Sequence, residues 1–194
     1  MSTKSASREH IITAFLQLCE AMPYNKITVS QLIKKAGYNR STFYSHFKSI
    51  DALMQELQKY VMQVPDEILP YGLKILYTGI ITDEQLRLFQ KILHQSLPIL
   101  TMLLGPHGNP LFVHHFKEHI HQKIVALLGL KQDDLTPQLT LMLEFIISGH
   151  LQLLLYYYKN KPEITPLDFW MQIRSCIDKQ ALLSVILAKT DKIR

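Results

Sequence analysis

The chain has 194 residues, 47% of them hydrophobic and 19% charged, with a formal net charge of +5 at neutral pH. That apolar content supplies a core for one or two small domains and excludes disorder over most of the length. Between Met1 and Gln63 eight Lys/Arg stand against four acids, while the remainder is close to neutral, so the basic character belongs to the N-terminal third, as expected of a part that meets a polyanion.

Met1 to Arg8 is polar and no apolar run follows it, so no secretory signal is visible. From Arg8 to Met22, apolar residues fall in two rows of helical spacing, Ile11, Phe15, Leu18, Met22 and Ile12, Leu16, Cys19. Pro23 to Lys26 breaks that helix. Thr28-Val29-Ser30-Gln31 has the form of a capping box and opens a second helix that carries Leu32, Ile33 and Ala36 inward and stops at Gly37. Asn39 is an N-cap for a third helix, Arg40 to Phe47, and Ser49 caps a fourth with Leu53, Leu57 and Val61 on its apolar face. Pro65 and Pro70 read as a hinge.

Beyond the hinge, Thr82 to Gln85 is a second capping box, opening a helix to about Gln95, and Pro98 starts a short apolar segment that ends in the loop Gly105 to Asn109. Asn109-Pro110 opens a helix that closes at Gly129. Thr136-Pro137 and Thr165-Pro166 start two long final helices, Pro137 to Tyr158 and Pro166 to Lys189. With no convincing strand or repeat, the chain reads as all-α: an N-terminal domain over residues 1–63 containing a three-helix helix-turn-helix, and a larger C-terminal helical domain over residues 64–194. The run Leu139 to Tyr158 is long enough for a membrane span, but Glu144, His150 and Gln152 interrupt it, so burial inside a protein assembly is the reading. Cys19 and Cys176 lie far apart among apolar residues, as buried free thiols of a reducing cytoplasm do.

The stretch "GYNRSTFYSHFKS" holds most of the chemistry. Phe43 and Phe47 are four apart and share a helix face that can pack on the first helix. Arg40, Ser41, Tyr44, Ser45 and Lys48 then occupy the other faces. Such a surface suits DNA: arginine can fork to guanine edges, small hydroxyls fit near base edges, and Tyr, His and Lys reach phosphates. The N-termini of the helices opened by Thr28 and Ser49 offer free N–H groups to a phosphate as well. The plainer reading of the same pattern is a solvated amphipathic helix.

"ITVSQLIKKAGYNRSTFYSHFKSIDAL", Ile27 to Leu53, resembles the signature of the Tet repressor (TetR/AcrR) family: a Thr-Val helix start, Ala-Gly at the turn, then Thr-Phe-Tyr-x-His-Phe. The resemblance covers roughly residues 8 to 63. It implies an all-helical homodimer with an N-terminal DNA reader and a C-terminal effector and dimerisation domain. It assigns phosphate contacts to Thr28, Tyr44, His46 and Lys48, and base-edge contacts to Arg40, Ser41, Thr42 and Ser45. Two positions depart from the pattern: Ile50 stands where the family usually has a phosphate-contacting Lys, which bears on affinity, and Asn39 replaces the usual Ser or Thr.

Two other constellations compete. His115-Phe-Lys-Glu118-His119 matches the inverted zinc-protease motif, with His94, Glu144 and His150 as further ligands to draw on, and would make the chain a metal-dependent hydrolase. A five-residue pattern arises easily among nine histidines, so a partly solvated helix, no metal and no cofactor are expected. Tyr71, Tyr77, Phe89, Phe112, Phe116 and Tyr156 to Tyr158 could line a pocket for a small apolar or amphipathic ligand, or simply pack helices. Leu151, Leu154 and Leu155, with Phe169, Trp170, Ile173, Ile177 and Leu183, give more apolar face than one domain covers, which argues for a symmetric dimer through a four-helix bundle. The expectation is a cytoplasmic, dimeric transcriptional repressor that binds a palindromic double-stranded operator and is released by a ligand. A family member acting as an activator or co-regulator without an inducer is the alternative.

Overall fold

A computed structural model of the chain describes residues 3–160, together with Glu163 and Asp168. Among the described residues there is no strand: seven α-helices, α1 (Thr3–Cys19), α2 (Val29–Ala36), α3 (Arg40–Tyr44), α4 (Ile50–Thr78), α5 (Asp83–Leu104), α6 (Pro110–Leu127) and α7 (Pro137–Asn160), are joined by short turns. The fold is all-α, with a helix-turn-helix near the N-terminus and further helices after it. The expected final helix, Pro166 to Lys189, lies outside the described residues.

Local chemistry explains most helix ends. The Thr28 hydroxyl accepts from the Gln31 N–H (3.2 Å), and the Gln31 side chain takes the Thr28 N–H (2.8 Å), closing the capping box of α2. Gly37 ends α2 at φ +75°, where an L side chain is strained, and the Tyr38 N–H returns to the Ile33 carbonyl (3.0 Å). Asn39 accepts from the Thr42 N–H (2.9 Å) to start α3, and Ser49 accepts from the Ala52 N–H (3.0 Å) to start α4. Thr82 and Gln85 repeat the capping pattern at α5 (3.0 and 3.2 Å).

Two proline readings are corrected. Pro65 and Pro70 lie inside α4, which runs unbroken from Ile50 to Thr78, and Pro98 lies inside α5. An interior proline deletes one helical hydrogen bond, at a cost of about 3 kcal/mol, but it does not forbid the helix. In α5 buried residues flank the proline on both sides, Leu93 and Leu97 before it and Leu100 and Leu103 after it, and outweigh that loss, whereas in α4 a buried row leads only as far as Pro65 and Pro70 is exposed. Leu53, Leu57 and Val61 repeat every four residues, and buried Pro65 falls at the next step of that row. α3 is shorter than expected: beyond Tyr44 the chain tightens, with the His46 and Phe47 N–H groups both returning to the Phe43 carbonyl (2.9 Å each).

The chain divides into two compact units, residues 1–63 with 95–115, and residues 64–94 with the remainder. In the first, α1, α2 and α3 pack on one another around Ile11, Phe15, Leu32, Phe43 and Phe47, all buried. Cys19 is buried there too, and burial pushes its thiol up to about 12. Cys176 lies outside the described residues. In the second unit α7 buries one stripe, Leu139, Leu143, Ile147 and Leu151, spaced by four. α7 is long and apolar enough to cross a membrane by length and composition. Within the single chain its other side lies open: Leu141 (72% exposed), Phe145 (78%), Leu153 and Tyr156.

Candidate nucleic-acid interface

Residues of opposite character alternate along α3. Phe43 and Phe47 are buried, their ring centroids 5.9 Å apart, so the short helix has one fixed inner side. Arg40, Ser41, Tyr44 and Ser45 are exposed, as is Lys48 just after them, and Thr42 and His46 are half-buried. Thr28 is exposed at the start of α2. The eight sequence-assigned contacts therefore fall within the α2–turn–α3 segment and its immediate flanks, with exposed Lys34 and Lys35 adding positive charge to α2.

Most of these polar heads already have partners. Arg40 Nη2 donates to Ser30 Oγ (2.6 Å), which ties the candidate base-reading guanidinium to the first turn of α2. Ser41 and Thr42 hydroxyls both donate to Asn39 Oδ1 (2.7 and 2.9 Å), and Ser45 Oγ donates to the Thr42 carbonyl (2.8 Å). His46 Nε2 lies 2.8 Å from Ser7 Oγ of α1. Tyr44, 53% exposed with its ring set edge-on against Phe43, and Lys48 remain, and neither head bonds to another described residue. Tyr44 and Lys48 can take a phosphate at no internal loss. Any of the others that gives up an internal hydrogen bond for one to DNA makes a near-balanced swap that favours the partner with the better geometry.

Ile50, where the resemblance led one to look for a lysine, is half-buried at the first position of α4 and brings no charge. Sequence reasoning did not single out Ser7, Ser30 or the Arg8–Glu56 ion pair as part of this arrangement. A signal for Ser7 was present, because it precedes Ile11 and Phe15 at steps of four and so lies on the buried row of α1.

The residues of the inverted zinc-protease motif go elsewhere. His119 Nε2 lies 3.4 Å from Asp66 Oδ2, and Lys123 Nζ, 2.9 Å from Asp66 Oδ1, is the main cause that holds that carboxyl below its ordinary range. Glu118 accepts from the Gln122 amide (3.3 Å). Glu144 pairs with Lys117 and accepts from Ser148, and His150 Nδ1–H donates to the Ile146 carbonyl (2.9 Å). Among the described residues no three His, Cys, Asp or Glu side chains gather where they could hold a metal ion. Of the residues expected at a dimer interface, Leu151 is buried within its own unit and Leu154 is half-buried, while Trp170, Ile173 and Ile177 lie outside the described residues.

Residues 11–57 match the family described as bacterial regulatory proteins, tetR family. Among solved structures, the chain resembles a tetR-family transcriptional regulator from Streptomyces coelicolor, with a TM-score of 0.59 and 18% identity over 99% of this chain and 86% of that one. It also resembles a TetR transcriptional regulator from Streptococcus agalactiae 2603V, with a TM-score of 0.50 and 23% identity over 91% of this chain and 96% of that one. No curated protein matches the chain.

Proposed function

We propose that the chain, whose residues 11–57 match the family described as bacterial regulatory proteins, tetR family, is a DNA-binding transcriptional regulator and not an enzyme, and that it works as a cytoplasmic homodimeric repressor on a palindromic double-stranded operator. One observation carries the reading: behind α3 lie Phe43 and Phe47, and in front of it lie exposed Arg40, Ser41, Tyr44, Ser45 and Lys48. Base-edge contacts come from Arg40, Ser41, Thr42 and Ser45, and phosphate contacts from Thr28, Tyr44, His46 and Lys48. A dimer sets two α3 helices into successive major grooves about one helical turn apart.

The dimer is supported by the outer row of α7, Leu141, Phe145, Gly149, Gln152 and Tyr156, which is more apolar than a solvent-facing row needs to be. Release by a small apolar or amphipathic ligand is supported by the second unit. Phe89 and Phe116 are buried there, and His121 Nε2 is shut from solvent without a hydrogen-bond partner among the described residues, a polar handle left over. A ligand favouring a conformation with the wrong half-site spacing would release the operator.

The test is selection of bound duplexes from random DNA, followed by anisotropy titrations of the selected and a scrambled duplex across salt. The expected result is a palindromic consensus and a steep negative slope of log affinity against log salt, as counterions leave the contacted phosphates. A flat salt response sinks the reading.

A further inference from the structure

We propose that Ser7 is a positioning residue for DNA binding, which acts through His46 on the C-terminal end of α3. The proposal rests on the DNA-binding reading above and adds a residue that neither the signature stretch nor the family match contains. Ser7 is 7% exposed, in line with fully buried Ile11 and Phe15 on the inner row of α1. A hydroxyl in such a row costs stability unless it is hydrogen-bonded. Its Oγ lies 2.8 Å from Nε2 of His46, thirty-nine residues further along the chain. The next residue of α1 grips the next residue of the same turn: the Arg8 guanidinium sits 5.5 Å from the centroid of the Phe47 ring and pairs with Glu56 of α4.

These two contacts act differently on α3. Burial of Phe43 and Phe47 fixes which side of α3 faces inward, but apolar contacts have no preferred angle of their own and leave small rotations about the helix axis cheap. A hydrogen bond is directional, and the one at His46 lies between Ser45 and Lys48, the last outward residues of the segment. It therefore sets the aim of Ser45, the last of the base-edge residues, relative to α1. It also commits one imidazole nitrogen inside the protein, so any contact of His46 with a phosphate runs through Nδ1.

The experiment uses the full chain with Ser7→Ala and Ser7→Thr. Operator and scrambled-duplex affinities are measured across salt, folded fraction by thermal melting, and the His46 ring nitrogens by side-chain 15N resonances. Ser7→Ala should lower operator affinity roughly fivefold, the worth of one net hydrogen bond. Scrambled-duplex affinity and the salt slope should stay unchanged, and the Nε2 resonance should move. Ser7→Thr, which keeps the hydroxyl, should restore operator affinity. A lower melting temperature with unchanged selectivity between the duplexes would show a merely structural pair and overturn the proposal. A smaller salt slope in Ser7→Ala would show loss of a phosphate contact and overturn it equally. If the wild type binds neither duplex in a salt-dependent way, the DNA-binding reading fails and takes the proposal with it. Unchanged selectivity in Ser7→Ala against a wild type that does bind sinks the proposal alone.

Discussion

At the scale of single residues, α3 separates two kinds of side chain that mutation can tell apart. Phe43 is fully buried, so Phe43→Ala should cost about 3–5 kcal/mol and unfold the first unit or nearly so. Arg40→Ala touches no core atom. It frees Ser30, removes a guanidinium able to fork to a base pair, and should relax sequence preference at one position per half-site by about 1–3 kcal/mol. Tyr44→Phe removes only a hydroxyl and should weaken operator and scrambled duplex by similar factors. Melting temperatures beside selected consensus sequences check all three. If Arg40→Ala and Tyr44→Phe lower stability and leave binding untouched, α3 presents its other side. A second residue-scale expectation concerns His150. Burial holds its imidazole below the ordinary 6.5, against the smaller opposing pull of its bond to the Ile146 carbonyl. A depressed histidine means that the unfolded chain binds the proton first, so stability falls as pH drops below about 6.5. Asp66 and Glu144, both held below their ordinary 3.8 and 4.5, act only further into acid. Melting at about pH 7.5 and about pH 5.5 should show a smaller loss in His150→Gln than in the wild type. An equal loss would place the titrating group elsewhere.

At the scale of elements, the turn between α2 and α3 depends on one backbone conformation. A Cβ at Gly37 would meet nothing within 4 Å, so space is not what excludes other residues there. The left-handed φ of +75° is. Gly37→Ala should therefore destabilise by about 1–2 kcal/mol, and Gly37→Asn by less, since asparagine tolerates this region better. Urea unfolding of the full chain measures both. Equal stability of the Ala variant would mean that the turn relaxes into another form. The turn's neighbours have a similar division of labour: Asn39 carries three hydrogen bonds at 2.7–2.9 Å and so holds the start of α3 against its own hydroxyls.

At the scale of the whole molecule, the proposed dimer turns on the outer row of α7. Phe145 and Leu141, one turn apart and largely exposed, form an apolar face that a two-fold partner would cover. Phe145→Glu places a charge in that row and should convert a dimer into a monomer in sedimentation velocity. Operator affinity should drop steeply with it, because each half-site then binds without the effective concentration that the partner supplies. A wild type that sediments as a monomer, or a Phe145→Glu variant that stays dimeric, would rule out this face.

The helix ends and the helix-turn-helix were legible in the sequence because their causes are local. A capping box spans four residues, a left-handed glycine acts on its own turn, and Phe43 and Phe47 reveal an inner face by spacing alone. Rules that depend on what lies across the core were not. Prolines at 65, 70 and 98 signal a break to any local reading, yet α4 and α5 continue through them, and in α5 buried residues on both sides of Pro98 outweigh the lost hydrogen bond. Apolar residues surround α7 in sequence, and only packing decides that Leu139, Leu143, Ile147 and Leu151 turn inward while Leu141 and Phe145 face out. The partner of His46 lies thirty-nine residues away, and that of Arg40 ten. Sequence spacing along one helix determines which residues share a face. Which face meets which neighbour is a property of three helices at once, and the tertiary structure alone decides it.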